Sequence, residues 1–256
     1  MTFPIDETAL EAPLSRRKFL KWSALAGAGA LASSSFIGRA LGRGTPAARP
    51  STGVLATSAA MFSLAEKPFD HLKAGLEGFS AAQLEQHLGL YRNYVAQVAK
   101  SAARLDELQA AAQWDAMRDV FLKQSYAING ALLHDWYFSA LGGSQRAPGP
   151  LASERITRDF GDFARFEASL KAAGAAMRGW VVTGVSLSDG KLRHYGMDAH
   201  DVGVPLGVFP ILALDVYEHA YMIDFGTRRA SYLDAFWRNL DWAVIESRLR
   251  AAAAQR

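Results

Sequence analysis

Asp215 and His219 are the residues of this chain best placed to bind a metal ion. They follow the apolar run 208–214, which is typical of a buried strand. Just after the end of such a strand, two side chains four residues apart can point to the same position. Oxygen and nitrogen donors together suit a first-row transition metal. This spacing alone has low specificity, since many helices carry such a pair as a salt bridge. The full string Asp-Val-Tyr-Glu-His-Ala-Tyr is far more specific.

The other histidines are judged by the segments that contain them, because a lone histidine in a helix is usually a surface residue or a satisfied core residue. His87 follows Ser80 in a segment with helical periodicity, and Ser80 is a suitable N-cap. His134 lies in a second helical segment, five residues after Asn129. The sequence contains six histidines, at positions 71, 87, 134, 194, 200 and 219.

Composition excludes several classes of protein. The 256 residues include no cysteine, so disulfides, thiolate zinc sites and cysteine-bound iron–sulfur clusters are ruled out. Half of the residues are hydrophobic, which allows a sizeable core. The net charge of +3 resides entirely in residues 1–48, which hold six basic and three acidic side chains. The remainder is near neutral, so binding to nucleic acid is not supported.

The N-terminus carries an export signal. Residues 15–21, Ser-Arg-Arg-Lys-Phe-Leu-Lys, match the twin-arginine motif at every defined position. The weakly apolar run 22–32 that follows is too short for a membrane span, and no stable span is expected in the mature chain. Small residues between about 40 and 60 leave the cleavage site open. The alternative is a basic amphipathic helix.

The order of predicted elements indicates an α+β fold. Helical patterns cover residues 80–100 and about 106–141. The second pattern is expected to be broken once, and Gly142-Gly143 ends it. After a further helical region, 153–177, the chain turns to strands.

Three strands are predicted in the second half, at 180–185, 191–195 and 208–214, with Asp189-Gly190 as a hairpin turn. A long-helix hairpin followed by a small three-stranded antiparallel sheet surrounded by helices is the expected architecture. The expected divisions are a signal and linker at 1–48, a helical hairpin domain at 60–145 and a C-terminal domain at 150–256.

Several of these segments resemble the iron/manganese superoxide dismutases. Residues 215–221 are similar to the family's Asp-Val-Trp-Glu-His-Ala-Tyr, and residues 79–89 resemble its Ile-Ser-Ala-x-Thr-x-Glu-x-His-x-Gly. Residues 129–138 resemble its Asn-His-x-Phe-x-Trp, although Leu133 replaces the asparagine. The Gly-Trp before the first strand and the terminal Tyr-Leu-x-x-Phe-Trp also match. The resemblance covers about residues 62–250.

This resemblance implies a metal centre and a redox reaction. His87, His134, Asp215 and His219 would hold one iron or manganese ion per chain. The implied reaction oxidises one superoxide to dioxygen and reduces a second to hydrogen peroxide, with protons supplied through metal-bound solvent. The choice between iron and manganese stays open.

The residue that would orient the bound solvent departs from the family. Iron-type enzymes often supply a glutamine four residues before the second histidine ligand, where this chain has Gly130. Manganese-type enzymes have glycine at that position and supply the glutamine from the string Ala-Asn-Gln-Asp. The corresponding string in this chain is Asp-Ala-His-Asp at residues 198–201, with His200 in place of the glutamine. His200 is therefore expected to take this role. The alternative is a surface loop histidine.

The first long helix is also altered. The family has a histidine four residues after the first ligand and a gateway tyrosine eight residues after it, whereas this chain has Tyr91 at four and Tyr94 at seven. One of these two tyrosines is expected to guard the substrate entrance. Met222 replaces a tyrosine that pairs with the missing histidine across the family's dimer. Glu218 would bridge to the metal-bound histidine of a partner subunit, which favours a homodimer and leaves a tetramer open.

The resulting hypothesis is an exported superoxide dismutase, periplasmic or extracellular, whose partners are superoxide, a second copy of itself and the twin-arginine translocase. Trp136, Trp180 and Tyr217 are expected to form an aromatic shell, or to serve ordinary core packing. Two alternatives share the fold and the metal: altered oxygen chemistry, and a non-catalytic metal-binding role in the cell envelope.

Overall fold

A computed structural model describes residues 64–255, so the twin-arginine segment and the predicted linker lie outside the described residues. The described helices are α1 (Ala81–Ala110), α2 (Trp114–Ser139), α3 (Pro150–Phe160), α4 (Phe163–Ala176), α5 (Met222–Phe225), α6 (Arg229–Arg238) and α7 (Trp242–Ala254). The strands are β1 (Trp180–Ser186), β2 (Leu192–Met197) and β3 (Val208–Asp215). Short 3-10 turns occur at Asp70–Ala74 and Glu218–Ala220.

The long hairpin of α1 and α2 begins at the predicted cap. The Ser80 hydroxyl accepts the Gln83 N–H at 3.1 Å, which satisfies one of the free donors at the helix start. α1 runs ten residues beyond the predicted end, because Leu105 and Leu108 continue its buried face. The break predicted within the second helical segment is in fact the turn between α1 and α2, where Ala112 has a positive φ of 53°.

The helical region predicted at 153–177 is two helices, α3 and α4. Gly161, with φ of 92°, ends α3, and the Asp162 side chain then caps α4 by accepting the Arg165 N–H at 2.7 Å. A left-handed glycine followed by an aspartate cap is a common stop and restart signal. The two helices pack beside the sheet.

The sheet has the antiparallel order β2-β1-β3. β1 is buried along its whole length, and Gly190 at φ 69° closes its hairpin with β2. Pro210 is tolerated in β3 because β3 is an edge strand that pairs with β1 alone. The register places Trp180 opposite Asp215, at the end of the sheet that faces the helical hairpin. The predicted fold class, helices around a small three-stranded antiparallel sheet, is confirmed.

The core joins the hairpin to the sheet and the last helices. Its largest fully buried side chains include Trp180, Tyr137, Phe138, Tyr232 and Phe236. Across residues 64–255, the helices are all too short or too polar to cross a membrane.

The buried carboxylate of Glu246 links α7, the last helix, to the start of α3. The start of α3 has no side-chain cap of its own, because Gly149 occupies the N-cap position. Glu246 of α7 supplies the missing acceptors, taking the N–H of Leu151 at 3.2 Å and that of Ala152 at 2.8 Å. A Cβ at residue 149 would lie 2.7 Å from the Glu246 carboxylate, so any larger residue there would have to displace the carboxylate that caps α3.

We expect Glu246→Gln to lower the free energy of unfolding by about 1–2 kcal/mol, because an anionic acceptor at a helix N-terminus is lost. Burial would raise the pKa of Glu246, but the Ala152 N–H, Arg250 and the Leu151 N–H lower it overall. The native carboxylate therefore adds stability above its unfolded pKa of about 4.3, and this is lost as the pH falls through the lower folded value. Urea unfolding at pH 7 and at pH 3 measures both effects.

Glu154→Gln is the matched control, since Glu154 is exposed on α3. It should change the free energy of unfolding by less than about 0.5 kcal/mol. Equal stability of the two variants at pH 7 would contradict the proposed cap.

Candidate metal centre

Four elements bring together the four donor residues predicted from sequence. His87 lies on α1 and His134 on α2, and the two helices pack side by side. Asp215 is the last residue of β3, and His219 lies in the 3-10 turn that follows. The donor atoms of all four lie within 4.8 Å of one another, so this group could hold a metal ion.

The Asp215 carboxylate is at the centre of the cluster. Its Oδ2 lies 3.0 Å from His87 Nε2, 3.1 Å from His219 Nε2 and 3.6 Å from His134 Nε2. Asp215 and His134 are fully buried, His87 is 1% exposed, and His219 is half-buried. Such a carboxylate needs compensating partners, because burying a charge without them is costly.

Two polar contacts fix the turn that carries His219. The Tyr217 N–H donates to Asp215 Oδ1 at 3.0 Å, so the carboxylate also caps the chain reversal. Gln83 on α1 donates to the His219 carbonyl at 2.6 Å and accepts the Ile223 N–H at 3.1 Å. Gln83 is a positioning residue that the sequence analysis missed, since its type and spacing carry no signal of this role.

The charges of the cluster match those of a metal-binding site. Burial would raise the pKa of Asp215, but His219 and His87 hold it well below its usual range, so the carboxylate is ionised. Burial lowers the pKa of both His87 and His134, and these imidazoles are neutral. For His219, burial would lower the pKa, but Asp215 raises it overall. The ionised carboxylate and the neutral imidazoles of His87 and His134 are in the form that binds metal, whereas the raised pKa of His219 means that a metal ion must compete with a proton there.

His134 provides the clearest test of whether a metal fits. Its Nδ1 lies 2.6 Å from the Gly130 carbonyl, which can only accept, so Nδ1 carries the proton. Its Nε2 therefore presents a lone pair toward the Asp215 carboxylate, and this buried atom has no hydrogen-bond partner among the described residues. A cation between this buried lone pair and the carboxylate would stabilise both, so these residues fit a metal ion.

His200 lies beside the cluster and is fully buried, whereas a surface loop histidine would be exposed. The Trp180 Nε1–H donates to His200 Nδ1 at 2.8 Å. Since an indole nitrogen can only donate, the His200 proton is on Nε2, which is buried without a partner among residues 64–255. Burial lowers the pKa of His200 to about 4, so the ring is neutral at physiological pH.

The absence of a side chain at Gly130 makes room for this arrangement. A Cβ there would lie 2.9 Å from two ring carbons of Tyr94 and 3.1 Å from His200 Cδ2. A glutamine at this position, as in the iron-type resemblance, would displace both rings. Gly130 and His200 are therefore sterically coupled.

The two candidate gateway tyrosines lie in different places. The Tyr94 ring is 5.3 Å from that of His134 and 4.8 Å from that of His200, so Tyr94 lies against the cluster. Tyr91 instead accepts the Lys67 N–H at 2.9 Å on its hydroxyl and packs on Phe69, at the junction with the N-terminal segment. The structure brings Tyr94, and not Tyr91, to the site.

Two of the three residues expected in the aromatic shell lie at the site. Tyr217 stacks on His219 at 5.1 Å, and Trp180 meets His134 edge-on at 5.0 Å. Trp136 lies elsewhere and lines an apolar groove between α2 and the sheet. Tyr126, which the sequence analysis did not select, packs 4.5 Å from the His200 ring. Its position two helical turns before His134 was the available signal.

Glu218, the expected dimer bridge, is exposed next to His219. Beside it is a surface cavity of about 440 Å³ that includes Leu90, Met222 and Ile223 in its lining. Met222 and Ile223 are 43% and 50% exposed.

Comparisons with known proteins match two parts of the chain. Residues 148–248 match the family model of the C-terminal domain of iron/manganese superoxide dismutases, and residues 13–33 match that of the twin-arginine translocation signal, which supports export by that pathway.

Curated relatives cover 73–77% of this chain. The chain is 34% identical to "Superoxide dismutase [Fe]" of Aquifex aeolicus over 195 residues, 73% of this chain and 92% of the relative. It is 34% identical to the protein of that name from Cupriavidus metallidurans over 191 residues, 73% and 96% of the two chains. It is 29% identical to "Superoxide dismutase [Mn]" of Mycobacterium leprae over 205 residues, 77% and 96%. With this similarity along its length, the chain belongs to the iron/manganese superoxide dismutase family.

Proposed function

We propose that this protein is a superoxide dismutase that converts two superoxide anions and two protons into dioxygen and hydrogen peroxide. The observation that carries the proposal is the buried cluster of three imidazoles and one carboxylate with the unpaired His134 Nε2. His87, His134, Asp215 and His219 would hold one iron or manganese ion per chain. Bound there, such an ion supplies the one-electron oxidation and reduction that this reaction requires.

The protein's own groups control protons and access. His200 holds a proton on Nε2 that has no protein acceptor, so it can donate to a solvent molecule in the cluster and orient it. Trp180 keeps that proton in place by occupying Nδ1. Tyr94 covers the same side of His134 and is the gateway phenol in this proposal. Burial of Asp215 and His134 keeps bulk water away from the donor atoms.

The proposed setting is outside the cytoplasm, periplasmic or extracellular, after passage through the twin-arginine translocase. The match over residues 13–33 supports this. We further infer the division into a signal and linker at 1–48, a hairpin domain at 60–145 and a C-terminal domain at 150–256.

A homodimer built around Glu218 is part of the proposal. The exposed side chains of Met222 and Ile223 next to it would be covered by a second subunit. Glu218 would then reach His219 of the partner subunit. The expected assembly contains two chains, and the measurement that decides between dimer and tetramer is sedimentation equilibrium.

His134→Ala should reduce bound iron and manganese from about one ion per chain to well below half, because a buried nitrogen donor is removed. Elemental analysis of the mature protein, exported by its own route, measures this, with dismutation assayed on the same sample. The control is His71→Ala, since His71 is exposed and lies outside the cluster. Full metal retention in His134→Ala would refute the ligand set. Stoichiometric metal without dismutation in the unmodified protein would favour altered oxygen chemistry or a non-catalytic role.

Trp180→Phe should lower kcat for superoxide by roughly 10- to 100-fold with metal content unchanged, because His200 loses the partner that fixes its tautomer. Stopped-flow kinetics with metal analysis separates the two quantities. Trp237→Phe is the control, since Trp237 packs on Phe163, away from the cluster. If Trp180→Phe keeps the native kcat, the orienting role of His200 is wrong.

Met222→Arg should shift the protein from two chains toward one, because a charge would be placed inside the proposed dimer interface. Sedimentation equilibrium measures the mass, and Leu206→Arg is the control, since Leu206 is 91% exposed in the loop before β3 and does not line the cavity beside Glu218. An unchanged dimer in Met222→Arg would place the interface elsewhere.

A further inference from the structure

Arg248 on α7 is a half-buried cation whose hydrogen bonds reach two other elements. Its Nη1 donates to the Trp136 carbonyl at 3.2 Å and to the Ile211 carbonyl at 2.9 Å, and its Nη2 also donates to that of Trp136, at 3.3 Å. Trp136 is in the last turn of α2, which ends at Ser139, and carbonyls in a last turn lack the helix's own N–H donors. The guanidinium supplies donors to this one.

The carbonyl on β3 belongs to an irregular position of the sheet. Thr183 of β1 pairs with Leu212, whereas the next residue of β1, Gly184, pairs with Pro210. Ile211 is therefore the extra residue of a bulge, and the extra residue of a bulge is left out of the regular ladder. The same guanidinium thus bonds to a helix end and to a strand bulge that are far apart in sequence.

This charge is compensated by carbonyls rather than by an ion pair. Burial lowers the pKa of Arg248 to about 10, so the side chain stays charged at neutral pH. Asp135, the described carboxylate that opposes this shift, is itself paired with Lys67 at 2.6 Å. A cation with such partners is costly to bury compared with an apolar side chain of similar size. Stability alone is therefore a weak reason for an arginine at this position.

The two segments that the guanidinium joins carry two of the proposed metal ligands. Trp136 is two residues after His134 on α2, and Ile211 is four residues before Asp215 on β3. His134 Nε2 lies 3.6 Å from Asp215 Oδ2, which is farther than the other two imidazoles of the cluster. This separation depends on how α2 lies against β3, and that is the contact which Arg248 bridges.

Side-chain packing leaves the same contact open on one side. An apolar groove of about 220 Å³ lies between α2 and the sheet, next to the bridge. Where side chains do not interdigitate, dispersion contacts are missing and packing holds a helix less firmly. We therefore expect the polar bridge to fix a spacing that the apolar contacts leave loose. The lining of the groove includes Leu132, Leu133 and Trp136 from α2 and Val182, Val208 and Pro210 from the sheet.

We propose that Arg248 is a positioning residue for the metal centre, which holds α2 and β3 at the spacing that His134 and Asp215 need to bind one ion. Arginine suits this role because its planar fork presents several N–H groups in fixed directions, whereas lysine presents a compact point charge. The inference rests on the proposed function only through the metal ion, since it concerns how firmly the ion is held and not how superoxide reacts.

The test is the release of bound iron or manganese from the metal-loaded mature protein to excess EDTA. Arg248→Met removes the bridge and fills similar space with a flexible apolar side chain. Release should be faster by roughly 10- to 100-fold, the range by which metal affinity falls when a group that orients a ligand is lost. The optical spectrum of the oxidised metal should also change, because the ligands are displaced. Arg248→Lys keeps the charge without the fork and should give an intermediate release rate.

Glu246→Gln separates positioning from stability. It is expected to destabilise the protein from the same helix, but the Glu246 carboxylate bonds to α3 rather than to α2 or β3. Its release rate and spectrum should therefore stay native. Equal effects of Arg248→Met and Glu246→Gln would overturn the proposal, and so would native release with a native spectrum in Arg248→Met. If Arg248→Met does not fold, Arg248→Lys takes its place in both comparisons.

The outcomes also distinguish the positioning role from the proposed function. Stoichiometric metal whose release responds to Arg248→Met, without superoxide turnover, would support the positioning role and reject dismutation. Rapid dismutation with native release and spectrum in Arg248→Met would support dismutation and reject the positioning role. An unmodified protein that binds neither iron nor manganese would reject both.

Discussion

The structure depends on one buried carboxylate, that of Asp215. An ionised group without exposure to water is strongly unfavourable unless its charge is compensated. Compensation comes from the imidazoles of His87 on α1 and His219 in the turn after β3, together with the Tyr217 N–H. These groups are far apart in sequence, so the hairpin must pack on the sheet before the site exists. Folding and the proposed metal binding are therefore coupled.

The surroundings of this carboxylate show how a small change in volume alters a site. Because Gly130 has no side chain, the rings of His200 and Tyr94 can approach α2. His200 then accepts a hydrogen bond from Trp180, on the strand that pairs with β3. The indole that fills the core beneath the cluster thus also determines which His200 nitrogen carries the proton. Packing and proton chemistry are therefore set by the same contact.

Much of the architecture could be predicted from sequence, because local signals agree with the packing. The Ser80 cap, the Asp189-Gly190 turn and the apolar run of β3 each act over a few residues. The predicted boundary between α1 and α2 was wrong. α1 is longer than predicted because Leu105 and Leu108 are buried against its partner helix, and nothing in the local sequence signals that contact. The split of α3 from α4 was also missed, although Gly161 followed by the Asp162 cap is a local signal for the end of one helix and the start of the next.

For the site, the resemblance of residues 79–89, 129–138 and 215–221 to segments of the family predicted which four side chains would meet. It did not distinguish Tyr91 from Tyr94. Those residues are three apart on one helix, and a helix turns 300° over three residues, so which of them faces the cluster depends on the helix rotation. Gln83 and Tyr126 were missed for a related reason: their roles come from contacts with His219 and His200 across the fold.

The export signal and the construction of the site are mutually consistent. The twin-arginine pathway carries proteins that have already folded, and the proposed ligands come from four elements that meet only in the folded chain. An ion bound in the cytoplasm would therefore cross the membrane inside a closed core in which Asp215 and His134 are inaccessible to solvent. If the same chain were exported unfolded, the four donors would be separated and would have to compete for metal outside the cell. Burial of the donor atoms would thus serve the retention of the proposed metal as well as its chemistry, and the partly exposed His219 is the ligand through which the site meets solvent.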